Sequence, residues 1–124
     1  MSISFVVEPQ HQLVRTRCVG PIALPDLAGY ARALVADRLL DHAQLIDART
    51  ARLHLSAEET REFADLMASL GAVYGRAPVA FVAADRTTCH IAQRYWELGA
   101  GANPAFQVFE DMAAAEVWLL ITSR

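Results

Sequence analysis

Any chemistry in this chain has to come from a few polar residues that close apolar runs. Asp47, Arg49, Thr50 and Arg52 follow one such run, and Asp85 and Arg86 follow another, PVAFVA at 78–83. Two carboxylates and three guanidiniums could hold an anion or the charged loop of a partner if both sets lie beyond the carboxyl ends of parallel strands, where open α/β sheets bind ligands. The structural alternative is a local Asp47–Arg49 or Asp85–Arg86 pair, with Asp85 capping a helix. Ser56 with Glu59 three residues on forms a capping box: the hydroxyl takes an amide of the first helical turn and the carboxylate reaches back to the amide of Ser56. A phosphate on Ser56 would gain from the helix dipole and be repelled by Glu58 and Glu59.

The other reactive side chains form no set. Cys89 and His90 are adjacent, and neighbours on a helix point ~100° apart, so they cannot share a nucleophile–base hydrogen bond. His11, His42, His54 and His90 have neither H-x-H nor H-x-x-x-H spacing, and no cysteine lies near enough to complete a zinc motif; we expect no metal and no cofactor. The glycines of GAGANP at 99–104 follow a helix, so they cannot cradle a phosphate between strand and helix; they fit a sharp return to the last strand. Trp96 stands beside Tyr95 at the edge of a helical stripe, which fits packing, a dimer contact or an apolar pocket.

Elements must position these residues. Ile3, Phe5 and Val7 alternate as in a half-buried strand, a turn falls over 9–12, and 13–19 resumes an extended run, so the two pair as an antiparallel hairpin ended by Gly20-Pro21. Pro25 and Asp26 suit the first turn of a helix whose stripe is Leu27, Tyr30, Ala31, Leu34, Val35 and Leu39. Leu45 and Ile46, between Ala43 and Ala48, form a short central strand followed by a basic loop. The second helix starts after Ser56, with Phe63, Leu66, Met67, Leu70 and Tyr74 as its stripe and Gly71 or Gly75 as its stop. PVAFVA is a buried strand. Asp85 caps a third helix bearing Ile91, Ala92, Tyr95 and Leu98. Phe106, Val108 and Phe109 form a last strand, and Glu110 or Asp111 opens a final helix with Ala114, Val117, Trp118 and Ile121 inward. The expected fold class is α/β, in the order β-β-α-β-α-β-α-β-α: a mainly parallel sheet of four to five strands with one antiparallel strand from the hairpin.

At 124 residues, with 54% hydrophobic content, the chain fits one domain, 1–124, able to bury a core without staples. A net charge of −3 with scattered arginines gives no nucleic-acid footprint. Cys18 and Cys89 are too few for a disulfide framework. No basic leader precedes an apolar stretch and no window approaches the ~20 apolar residues of a membrane span, so the expected location is the cytoplasm.

The hairpin, the LIDAR strand end, the S-x-x-E helix start and the closing VFEDMAAAEVWL together resemble the STAS-like, SpoIIAA-like proteins of bacteria, over essentially the whole chain. Within that superfamily the chain is most similar to the small single-domain STAS/CRAL-TRIO-like proteins. In the anti-sigma-factor antagonists an aspartate ends the third strand and a phosphorylatable serine opens the second helix in a D-S-S-G-like sequence. The resemblance implies those places for Asp47 and Ser56. Leu55 stands where the motif has its aspartate, and Ala57-Glu58 replaces the small Ser-Gly pair, which counts against phosphorylation by a partner kinase.

Two functions follow as expectations. The first is a non-enzymatic regulatory or protein-interaction module that meets a partner, or a second copy as a homodimer, through Asp47, Arg49, Thr50, Ser56, Asp85 and Arg86. The second is a carrier or sensor of a small apolar or lipid-like ligand, which the resemblance to lipid-carrier-like relatives implies and the high aliphatic content permits. An enzyme ranks last, because no nucleophile, base and stabiliser come together.

Overall fold

The computed structural model describes residues 2–99 and 105–122. Its strands are β1 (Ile3–Glu8), β2 (Leu13–Ala23), β3 (Ala43–His54), β4 (Val79–Ala83) and β5 (Phe106–Phe109); its helices are α1 (Leu24–Ala36), α2 (Ala57–Tyr74), α3 (Arg86–Leu98) and α4 (Met112–Thr122). The expected α/β order is what the chain adopts. One sheet carries all five strands in the order β1-β2-β3-β4-β5, with β1 antiparallel to β2 and every other pair parallel.

That order dictates where the helices go. A right-handed crossover always leaves a sheet on the same side when each new strand is added in the same direction. Accordingly α1, α2 and α3 share one face. Leu34 with Met67 and Leu70 packs at the β1–β2 end, and Ile91, Ala92 and Tyr95 pack over Ile46, Phe81 and Phe106. Among the described residues only α4 lies on the opposite face, where Ala115 and Leu119 meet Leu45, Ala80 and Val82. Five strands span roughly 20 Å, and one helix covers about 10 Å. Half of that face therefore stays bare.

Two strands outrun their sequence patterns. β2 passes through Gly20 and Pro21 to Ala23, and β3 continues through the stretch read as a basic loop, so that Val19–Ala23 pairs with Thr50–His54. Gly20 makes this possible with φ +74°, a conformation that costs a side-chain-bearing residue about 1 kcal/mol or more. The register shifts between Arg17 and Val19, where β3 carries one extra residue. This bulge keeps the core face intact. Ile46 and Ala48 point to the three-helix side, Arg49 and Thr50 are both exposed, and Ala51 and Leu53 return to that side. Strict alternation would have turned Ala51 and Leu53 outward.

The helix starts are local chemistry. The Asp26 carboxylate accepts from the amide of Ala23 at 2.9 Å, and the Ser56/Glu59 box closes with both bonds at 3.0 Å. Asp85 caps α3 and Asp111 caps α4. Gly75 ends α2 at φ +88°. The stripe expected in α4 is displaced: Ala115 and Leu119 are inward with Met112 and Trp118 half-buried, while Ala114, Val117 and Ile121 are exposed. The helix is apolar nearly all round, so periodicity could not select its buried side. In α2, Leu66 and Tyr74 are likewise exposed, because that helix turns Phe63, Ala64 and Met67 inward. Beyond Gly99, the expected glycine-rich loop falls outside the described residues.

Candidate functional site

The charged residues singled out in the sequence are spread along β3 and the start of α3, and Arg52 lies near enough to Asp85 to act on its charge. Asp47 lies in mid-strand, level with Val82 of β4, and grips Arg49 through two side-chain bonds of 2.9 Å. That guanidinium holds the Asp47 carboxyl below the usual carboxylate range. Arg49 and Thr50 face solvent at the bulge, and Ser56 opens α2 after the end of β3. His54 lies seven positions beyond Asp47 along the strand, a distance of roughly 23 Å. Asp85 caps α3 through Thr88, whose amide holds the carboxyl below its ordinary value, and Arg86, the first residue of α3, is exposed. A ligand crevice beyond strand ends belongs to sheets whose strand order reverses. The order here never reverses. Cys89 donates to the carbonyl of Ala83 at 3.6 Å, burial raises its pKa, and His90 is exposed.

A concave site does exist, on the three-helix face. α2 leans on α1 and α3 rather than directly on the sheet, and beneath it lies a cavity of about 120 Å³. Its walls are mostly carbon: Leu27 of α1, Ile46 and Leu53 of β3, Phe63 and Met67 of α2, and Phe106 of β5. Tyr95 joins Phe63 and Phe106 through ring contacts at 5.5 and 5.1 Å, and burial pushes its phenol up to about 12. Ala64 and Gly71 leave room on the α2 side, and the side chain of Arg76 occupies the space a Cβ at Gly71 would need, its Nε 2.5 Å away.

Polar groups in this wall are few and fixed. Thr16 donates to Tyr30, whose hydroxyl donates to Gln44 Oε1, at 2.6 and 2.9 Å. Burial raises the Tyr30 phenol, so it stays a donor and the direction of the relay does not change with ordinary pH. Gln44 is only 6% exposed, a polar residue in an otherwise apolar strand. Trp96 also lines the cavity. Its buried indole N–H has no hydrogen-bond partner among the described residues, and such a group costs about 1–3 kcal/mol until it finds an acceptor. None of Thr16, Tyr30 and Gln44 stood out in the sequence as a site residue; Gln44, placed just before Leu45 and Ile46, was the visible irregularity.

Comparison with solved structures adds the fold type. The chain superposes on an uncharacterised DUF3478-family protein with a SpoIIAA-like fold from Shewanella loihica, with a TM-score of 0.57 over 95% of this chain and 93% of that one. The fold is SpoIIAA-like. At 22% identity the likeness concerns architecture. No protein-family model matches the chain, and no curated protein matches it. Within this SpoIIAA-like fold, no group of three or more potential metal ligands occurs among the described residues, and no described helix is long and apolar enough to cross a membrane.

Proposed function

We propose that the protein is a carrier or sensor of a small, mainly apolar ligand that bears one hydrogen-bond acceptor, held between α2, α3 and the sheet. The observation that carries this reading is the apolar cavity lined in part by Trp96, whose buried indole N–H has no partner among the described residues. An apolar cavity of about 150 Å³ takes a benzene ring, so the somewhat smaller space of about 120 Å³ here suits one small ring or a short aliphatic chain. The carbon walls supply affinity, and the indole selects for a carbonyl or ether oxygen. The test compares acetophenone with α-methylstyrene, its hydrocarbon isostere, by thermal shift. Binding to the folded chain alone raises Tm. Acetophenone should stabilise the wild type more than the isostere does. Trp96→Phe should erase that difference, and Ala64→Phe should abolish both shifts. Absence of any shift in the wild type overturns the reading.

The charged residues support a regulatory interaction module less strongly, because Asp47, Ser56 and Asp85 are engaged within the chain. A partner would meet Arg52 and Arg86, both exposed. If such a partner exists, its recovery from cell extract should fall with Arg86→Glu.

A further inference from the structure

The face of the sheet opposite the cavity is half covered by α4 and half bare, and the two halves are opposite in character. The bare half presents Val6, 64% exposed, and Val19, 46% exposed, among the guanidiniums of Arg15, Arg17, Arg49 and Arg52. The covered half presents the outer side of α4, where Val117, Leu120 and Ile121 are 55%, 70% and 65% exposed. The segment from Glu110 to Thr122 carries Glu110, Asp111 and Glu116 and no Lys or Arg. The groove between the halves is lined by Arg15, Arg17, Asp47, Arg49 and Met112. Glu116 already approaches Arg15 to 3.8 Å across it, while Arg15 also pairs with Glu8.

We propose that this face is a two-fold interface with a second copy of the chain, in which α4 of each copy lies on the bare β1–β2 half of the other. A two-fold contact needs a surface that complements itself. A raised helix beside an empty shelf of about a helix's width meets that need in shape, and the acidic Glu110–Glu116 segment beside a basic shelf meets it in charge. Val117 and Leu120 of one copy cover Val6 and Val19 of its partner, and Glu116, with Glu110 and Asp111 just before α4, meets the shelf arginines. The arginine stems extend the apolar centre toward the ~800 Å² per partner that a stable interface buries. A partner of other chemistry would have to reproduce both features; a second copy already has them.

Sedimentation velocity at tens of micromolar tests this directly. Wild-type protein should sediment at twice the 13.6 kDa chain mass. Leu120→Glu should shift it to the chain mass with an unchanged circular dichroism spectrum, since Leu120 is exposed. Arg17→Glu should weaken the dimer at least tenfold, and Glu116→Arg added to it should restore part of the loss. A monomeric wild type overturns the proposal, as does a dimer that survives Leu120→Glu, which would place the contact elsewhere, such as the β1 edge.

Discussion

Thr88 shows how much a single hydroxyl can organise. It is fully buried, accepts from the amide of Leu53 at 3.0 Å and donates to Asp85 at 2.9 Å, so it ties the start of α3 to the far part of β3. Thr88→Val keeps the shape and strands the Leu53 amide, which should cost about 1–3 kcal/mol in urea unfolding. The acid limb of stability has a related origin. The folded-state pKa values of Asp47 and Asp85 lie below their ordinary values, so their contribution is complete above the unfolded carboxylate range and is lost as pH falls through the folded values. Asp85→Asn should flatten the fall in stability measured between roughly pH 5 and pH 2. Burial pushes the Cys18 thiol up to about 12, and it should resist alkylating reagents until the chain unfolds.

Among the elements, the bulge in β3 sets the frame for all that follows. Deleting Thr50 would force Ala51 and Leu53 out of the core or break their pairing with β2, and the variant should lose its cooperative urea transition. This feature also marks the limit of what the sequence could reveal. Capping signals were legible because they are local: Asp26, Ser56 with Glu59, Asp85 and Asp111 all act within four residues of their partners. The parallel sheet was legible from the alternation of apolar runs and helices. The true length of β2 and β3 was not, because Gly20-Pro21 and the arginines of 49–52 read as turn and loop until two long edges are paired. The buried side of α4 was hidden for the opposite reason: it has too many apolar candidates. The cavity was visible in the sequence at Tyr95 and Trp96 alone, since the rest of its lining is spread over six elements.

At the scale of the whole molecule, the two faces of the sheet do different work. Three helices close one face, yet α2 rests on its neighbours above a hollow, while β4 and the first half of β3 are buried on both sides. Amide hydrogen exchange should therefore show α2 opening at lower free energy than the central strands. Saturation with acetophenone should slow exchange in α2 more than in α4. The reverse pattern would mean that the aromatic ligand enters elsewhere.

The simple strand order has a last consequence, for birth rather than for binding. From β2 onward each strand docks beside the one synthesised just before it, so the sheet can assemble as the chain leaves the ribosome, without waiting for a distant segment. The exception is the flank that α4 covers. It remains unprotected until α4 itself has been made, and that is where a nascent-chain chaperone would be needed.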